Sequence, residues 1–208
     1  ATVYGGNGND LIVSVGGGND VIYGEAGTDS YWTDTADTIS GVTADETAGK
    51  TVHKIASFYQ PWTTSSASVD YVSTSINGQN LRDPVSGSAY SNQAARPLFV
   101  DGPEYNDIRQ GSLGDCYYLA SLASLSESDP GLIRESITSL GDGTYAVRYY
   151  RSGAEVYLRI DADLPGSYAR LTPDGEIWVM LMEKAYAFFR YGQNSYSSIE
   201  GGWMSNVV

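Results

Sequence analysis

The chain has 208 residues with 25 acidic and 12 basic side chains, so its formal net charge is -13. Hydrophobic residues make up 41% and charged residues 18%, a balance typical of folded proteins rather than disordered ones. The acidity argues against a nucleic-acid partner, because a phosphate backbone requires a basic surface. No apolar run reaches the length that a membrane span needs.

The negative charge is concentrated in the first quarter of the chain. Residues 1–49 contain no lysine or arginine, and their acids are Asp10, Asp20, Glu25, Asp29, Asp34, Asp37, Asp45 and Glu46. In a glycine-rich segment, self-repulsion on this scale opposes folding unless cations neutralise it. The composition therefore favours bound metal in this part of the chain.

Short glycine–aspartate repeats occupy residues 5–32. The first copy fits G-G-x-G-x-D-x-U, in which U is a large apolar residue, and two looser copies follow. This pattern is typical of calcium-binding RTX repeats, which form a parallel β-roll. Glycines permit left-handed turns, while turn carbonyls and carboxylates are hard oxygen ligands. The predicted calcium ligands are Asp10, Asp20 and Asp29. A flexible linker is the alternative, but it would not place aspartate at fixed offsets from glycine pairs.

The remaining elements follow in chain order. Residues 1–45 are predicted as the repeat domain with its cap, and residues 46–96 as a connecting segment in which the lone His53 is a packing or surface residue rather than a ligand. Apolar spacing then predicts a helix over 116–128, a hairpin of strands over 144–150 and 155–160, and a helix over 177–191. Helix, hairpin and helix together predict an α+β domain over residues 97–208.

The only cysteine, Cys116, lies at the start of the first of these helices. The partial positive charge at a helix N-terminus favours a thiolate over a thiol. Glycines at 111 and 114 let the preceding loop bend sharply and present the sulfur. Gln110 can offer its side-chain amide to a developing oxyanion, beside the backbone N–H of Cys116. This arrangement suits acyl transfer.

The segment Gln-Gly-Ser-Leu-Gly-Asp-Cys at 110–116 resembles the nucleophile motif of the calpain family of papain-like cysteine proteases. The resemblance continues at residues 99–102, 161–165 and 178–187, and in the Tyr-x-x-x-x-Gly-Gly turn at 196–202. It covers about residues 97–203. One departure is Tyr117, because the family usually has tryptophan after the cysteine.

The resemblance implies the helical, cysteine-bearing half of a papain-like domain. It implies Cys116 as the nucleophile and Gln110 in the oxyanion hole. Gly201 and Gly202 would line the substrate cleft, although ordinary turn glycines are an alternative. It also implies a calcium site made by the carbonyls of Val100 and Gly102 and the carboxylates of Asp107 and Glu183. The alternative for the two acids is ion pairing, for instance with Arg109 or Lys184.

A papain-like thiolate also needs a histidine and an asparagine. In calpains both lie downstream in a second subdomain, whereas no histidine follows Cys116 here. His53 precedes the domain and is not expected to substitute. We therefore expect a fragment that lacks the second catalytic subdomain of its parent chain and shows no peptidase activity alone.

Two functions are consistent with these observations. The first is part of a secreted, calcium-dependent, calpain-like cysteine endopeptidase that acts on proteins or peptides. The second is a non-catalytic calcium-binding module, secreted or adhesive, whose protease-like domain is a relic. Secretion is expected because RTX arrays resemble bacterial type I export substrates, which order outside the cell when they bind calcium.

Overall fold

The computed structural model describes residues 1–60, 70–72 and 80–207. The chain divides into two compact units, one built mainly from residues 1–58 and the other mainly from residues 80–207. Among the described residues, no helix has the length and apolar character needed to cross a bilayer.

The N-terminal unit is built from short parallel strands that alternate between two sheets. Odd-numbered strands form the first sheet, in the order β1-β3-β5, and even-numbered strands form the second, in the order β2-β4-β6. A short helix, α1, precedes the last strand. The elements are β1 (Thr2–Asn7), β2 (Leu11–Ser14), β3 (Val21–Ala26), β4 (Ser30–Asp34), β5 (Thr38–Ser40), α1 (Ala44–Gly49) and β6 (Val52–Ile55).

The apolar residue of one repeat is in register with the corresponding residue two repeats further on, in the same sheet. Ile12 of β2 is in register with Tyr31 of β4, and Ile22 of β3 is in register with Ile39 of β5. Ile12, Ile22 and Tyr31 form one buried cluster. The core of this unit therefore contains residues of both sheets. The sheets are parallel, as the repeats require, while the calcium-binding RTX β-roll itself stays a prediction.

Most of the remaining helices and strands belong to the second unit. The remaining elements are β7 (Phe58–Gln60), β8 (Asp70–Val72), β9 (Tyr90–Asn92), α2 (Cys116–Ser128), α3 (Pro130–Arg134), β10 (Ile137–Ser139), β11 (Thr144–Arg151), β12 (Ala154–Asp161), β13 (Asp163–Pro165) and α4 (Trp178–Phe189). A five-stranded sheet has the order β10-β11-β12-β7-β8, and β9 pairs with β13. Short 3-10 helices lie at Tyr105–Asp107, Tyr196–Ile199 and Met204–Asn206.

The main elements predicted for this unit are confirmed. Helix α2 has the expected bounds, and β11 and β12 form the expected antiparallel hairpin. Helix α4 is shorter than expected at both ends. Ile177 is its N-cap, and Gly192, just past its end, has a φ of 65°, in the left-handed region that favours glycine. The unit is a mixed α/β structure.

Helix α4 is the centre of the second unit. Every residue from Trp178 to Phe188 is buried. A helix that is buried on all sides belongs to the core rather than to the surface. Tyr118 of α2 stacks on Tyr186 of α4 with ring centroids 4.2 Å apart, and its hydroxyl donates to the Met182 carbonyl oxygen at 3.0 Å. These contacts attach the first turn of α2 to α4.

Part of the expected connecting segment, residues 46–96, forms ordered strands. Strand β6 completes the second sheet of the N-terminal unit, and β9 pairs with β13. Residues 61–69 and 73–79 of this segment lie outside the described residues, so the predicted domain bounds stay a prediction.

Candidate functional site

Cys116 is exposed and is the first residue of α2. The carbonyl oxygen of Asp115, just before it, accepts the N–H groups of Tyr118 at 2.8 Å and Leu119 at 3.2 Å. These bonds hold the first turn of the helix directly behind the sulfur. The thiol is therefore presented to solvent from the N-terminus of α2.

The loop before Cys116 is held against the segment 167–170. The backbone N–H of Ser112 donates to the Ser167 carbonyl oxygen at 2.8 Å, and that of Arg170 donates to the Arg109 carbonyl oxygen at 2.9 Å. A Cβ at Gly111 would clash with the carbonyl oxygens of Ser167 and Tyr168. Only glycine lets the two backbones approach this closely.

Gln110, the expected oxyanion-hole residue, is exposed on this loop. Its side-chain amide donates to the Leu113 carbonyl oxygen at 2.8 Å. The amide therefore folds over the same loop that presents Cys116. Its role towards an oxyanion stays a prediction.

Gly201 and Gly202 lie beside the cysteine loop, while their expected place in a substrate cleft stays a prediction. The N–H of Gly201 donates to the Gly114 carbonyl oxygen at 2.8 Å. A Cβ at Gly202 would lie 2.7 Å from the ring of Tyr117, the residue after the nucleophile. The Tyr117 hydroxyl also donates to the Ile199 carbonyl oxygen at 3.1 Å. The glycine turn is therefore packed on the first turn of α2.

Asp107 has a partner that the sequence analysis missed, Glu176. The pKa of Glu176 is raised to about 7 because the carboxyl group is desolvated and lies against Asp107. The Val100 N–H donates to Glu176 Oε2 at 2.6 Å, and Trp178 Nε1 donates to Asp107 Oδ2 at 3.1 Å. Two acids therefore meet beside the Val100 segment. The sequence feature that could have identified Glu176 is its position immediately before an apolar helix.

Gly102 belongs to the same corner of the unit. Asp101 and Gly102 have φ values of 59° and 108°, so the backbone turns sharply through the left-handed region. This turn follows Val100, whose own N–H contacts Glu176. Two carboxylates and a tight backbone turn form a donor set that suits a hard cation.

The expected ligand Glu183 is not part of this cluster. It lies five residues after Trp178 on α4, which is about 7.5 Å along the helix axis. Its two carboxylate oxygens each accept the Ala169 N–H at 3.0 Å, and its carboxyl group faces Asp115. The prediction that Glu183 joins Asp107 was therefore wrong, because helix geometry brings Glu176 to that position instead. Ion pairing with Lys184 is not the explanation either.

Lys184 occupies a third acidic cluster. The carboxylates of Asp83, Asp161 and Asp163 lie close enough together to hold a metal ion. However, Lys184 Nζ is 2.6 Å from Asp83 Oδ1 and 2.6 Å from Asp161 Oδ1. The ammonium group already supplies the positive charge there, and we assign no metal to this cluster.

In the N-terminal unit, the repeat aspartates lie at the starts of strands of two different sheets. Asp10 and Asp29 precede β2 and β4, whereas Asp20 precedes β3. Asp29 Oδ1 accepts the Asp10 N–H at 2.9 Å, and Asp37 Oδ1 accepts the Asp20 N–H at 2.9 Å. The structure thus brings Asp10 and Asp29 together and groups Asp20 with Asp37, a residue outside the predicted ligand set.

Glu46 is a second acid that the repeat pattern did not identify. It is buried, and its Oε1 accepts the Asp29 N–H at 2.9 Å. Burial opposes its ionisation, but hydrogen bonds from the backbone of Thr43 and Asp29 outweigh this effect, and its pKa is lowered. Glu46 therefore extends the row that begins with Asp10 and Asp29.

The carboxylates of this row point at glycine backbone. A Cβ at Gly5 would lie 2.8 Å from the Gly24 carbonyl oxygen and 2.9 Å from Asp10 Oδ2. A Cβ at Gly24 would clash with Asp29 Oδ2. Carbonyl and carboxylate oxygens crowded around residues without side chains fit the ligand chemistry of calcium.

His53 does not contribute to the cysteine site. It is completely buried in β6, with its ring 4.2 Å from that of Trp32. A histidine enclosed in this way cannot receive a proton from an exposed thiol. The expected packing role is what the structure shows.

Comparisons with known proteins agree with this site. The family described as calpain family cysteine protease matches residues 86–208. Calpain-8 of Mus musculus is 35% identical over 119 residues, which is 52% of this chain and 16% of that protein. Calpain-A of Drosophila melanogaster is 33% identical over 115 residues, which is 50% of this chain and 14% of that protein. The calpain-type cysteine protease DEK1 of Zea mays is 32% identical over 120 residues, which is 53% of this chain and 5% of that protein.

The chain therefore spans less than a fifth of the length of each of these relatives. The matched region contains the loop that presents Cys116, helix α4 and the glycine turn packed on Tyr117. Since this region is more than half of the sequence, the chain belongs to the calpain family of cysteine proteases.

Proposed function

We propose that the chain carries the nucleophile-bearing part of a calcium-dependent cysteine endopeptidase. The observation that supports this most is the exposed thiol of Cys116 at the start of α2, with the Gly201–Gly202 turn packed on Tyr117, the next residue. A peptide substrate can approach the enzyme closely where the backbone of the cleft carries no side chains. The two glycines of this turn would provide such backbone near the nucleophile.

In the reaction, the Cys116 thiolate attacks the scissile carbonyl carbon and forms a tetrahedral oxyanion. The Cys116 N–H and the Gln110 amide donate hydrogen bonds to that oxyanion. The proton of the thiol must go to a base, and the leaving amine must receive one. The sequence has one histidine, which is buried. The base is therefore proposed to come from outside these 208 residues.

The test compares the 208-residue chain with the protein expressed from its full reading frame. We expect calcium-dependent cleavage of a fluorogenic peptide by the full-length protein, complete loss in the C116A variant, and no cleavage by the 208-residue chain. A full-length protein with intact fold and no cleavage under any calcium concentration would favour the relic, non-catalytic module. Cleavage by the short chain that C116A abolishes would show that the base lies within it.

Calcium is proposed at two places. In the second unit, Asp107 and Glu176 would hold it together with the carbonyls of Val100 and Gly102. In the N-terminal unit, the row of Asp10, Asp29 and Glu46 and the pair of Asp20 and Asp37 would hold further ions. Bound calcium would supply the positive charge that residues 1–49 lack.

We also propose that the N-terminal unit is of the RTX type and that the protein is secreted. The alternation of parallel strands between two sheets and the carboxylates at the strand starts support this assignment. Folding that depends on calcium would keep the unit unfolded in a calcium-poor cytosol and order it outside.

A further inference from the structure

Two buried carboxyl groups meet directly behind the nucleophile. Asp115, the residue before Cys116, is 0% exposed, and Glu183 of α4 is 1% exposed. The two groups lie near enough for each to affect the pKa of the other. Neither oxygen of Asp115 receives a hydrogen bond from a described N–H or O–H group. The group opposite is itself an acceptor when ionised, so the contact is a hydrogen bond only when one acid is protonated.

No described cation compensates this pair. Tyr117 and Tyr118 face it from α2, Tyr196 faces it from the 3-10 helix at 196–199, and the Ala169 N–H contacts Glu183. The ammonium of Lys184, next in sequence, is directed to Asp83 and Asp161. Arg190 lies over the Tyr117 ring and donates to backbone carbonyl oxygens.

Two adjacent ionised carboxylates in this environment would be strongly unfavourable. Burial disfavours each charge, and like charges at short range disfavour the doubly ionised state further. Burial raises the pKa of Glu183 well above its ordinary value, and the nearby Asp115 charge raises it further. Burial also raises the pKa of Asp115.

We propose that Asp115 and Glu183 share one proton and that this acid pair positions Cys116 relative to the oxyanion loop. This inference rests on the proposed role of Cys116 as the nucleophile. Asp115 fixes the start of α2 through its backbone. Glu183 holds the Ala169 N–H, and the segment around Ala169 pairs with Arg109 and Ser112 of the loop. Both acids are positioning residues, because neither side chain reaches the substrate.

The pair makes the site sensitive to alkaline pH. Because the pKa of Glu183 in the folded protein is raised, its contribution to stability is complete at acidic pH and is lost as pH rises through that pKa. Deprotonation then leaves two repelling carboxylates behind the sulfur, and the start of α2 moves relative to the loop. Glu183→Gln removes this titration, since a glutamine amide donates to Asp115 at every pH.

The test uses alkylation of Cys116 by iodoacetamide, which reports on one residue because the chain has a single cysteine. Rates are measured against pH for the wild type, for Glu183→Gln, and for Glu127→Gln, which neutralises an exposed acid on α2, the helix that begins with Cys116. We expect the alkylation rates of the wild type and of Glu127→Gln to show an inflection caused by the acid pair. Glu183→Gln should lack that inflection.

Infrared spectra provide a second measurement that does not depend on reactivity. The spectrum of the wild type minus that of Glu183→Gln should show a protonated-carboxyl band at neutral pH that disappears at alkaline pH. Identical alkylation profiles for the two proteins, or the absence of this band, would overturn the acid pair. Should Glu183→Gln not fold, the same band is titrated against pH in Glu176→Gln, which lacks another carboxyl group whose pKa is raised. A band that persists in this variant at neutral pH and disappears at alkaline pH would support the acid pair, and its absence would overturn it.

The outcomes also separate this inference from the proposed function. A thiol no more reactive than free cysteine in all three proteins would contradict the nucleophile assignment and with it the positioning role. A reactive thiol with the same pH profile in the wild type and Glu183→Gln would contradict only the acid pair.

Discussion

At the level of single residues, the two glycines of the cysteine loop have different roles. Gly111 lies where the loop meets the backbone of Ser167 and Tyr168, and there is no space for a Cβ. Gly114 has open space around its Cα and no left-handed φ. The sequence motif contains both glycines, but only the first is required by a close backbone approach.

We therefore expect Gly111→Ala to destabilise the second unit by about 1–3 kcal/mol, because the new methyl group overpacks rigid backbone. Gly114→Ala, in the same loop, is the matched control and should change stability by less than about 0.5 kcal/mol. Urea denaturation followed by tryptophan fluorescence measures both. Equal effects of the two substitutions would contradict the close packing at Gly111.

At the level of elements, α4 determines which acid meets Asp107. Glu176 immediately precedes the helix and lies beside Trp178, whose Nε1 donates to Asp107. Glu183 lies almost two turns further on and faces the start of α2. One helix thus contributes to two separate acid clusters, one proposed for calcium and one for a shared proton.

Asp107→Asn and Glu176→Gln should each weaken calcium binding by the second unit by at least about tenfold, which corresponds to about 1.4 kcal/mol. The reason is the loss of one carboxylate charge from the ligand set. Glu183→Gln should leave calcium binding unchanged, and it is the matched control on the same helix. Isothermal titration calorimetry with calcium measures all three. The assignment fails if Glu183→Gln abolishes binding while Glu176→Gln retains it.

For the whole molecule, the two units differ in what opposes their folding. The second unit has a large apolar core around α4, whereas the N-terminal unit has a small core and a base-free acidic sequence up to residue 49. A ligand that binds only the folded state stabilises it by mass action, by about 2.7 kcal/mol at a hundredfold excess over Kd. Calcium should therefore stabilise the N-terminal unit most.

We expect two thermal transitions by calorimetry, one of which moves to higher temperature with calcium and returns when a chelator is added. Asp29→Asn should reduce the calcium-induced shift, because Asp29 lies in the row with Asp10 and Glu46. Asp45→Asn, which neutralises an exposed acid on α1, should not reduce it. Magnesium in place of calcium controls for general screening of charge. A calcium-independent melting profile would contradict the metal sites of this unit.

Local sequence alone was sufficient for the features that depend on neighbouring residues. The helix at Cys116, the hairpin of β11 and β12 and the motif that presents the thiol follow from apolar spacing and turn chemistry over a few residues. The glycine turn at Gly201 was identified from a short pattern that resembles the family's, and its N–H contacts Gly114 of the loop that presents Cys116.

The partners of the buried acids could not be read in the same way. Glu176 was missed, Glu183 was assigned to the wrong cluster, and Glu46 was not linked to the repeats. In each case the partner is distant in sequence, and the pairing depends on how α4 packs on α2 or how successive strands stack. Spacing along the chain specifies which residue types are available, whereas the desolvation and charge that set their chemistry arise only when the elements pack together.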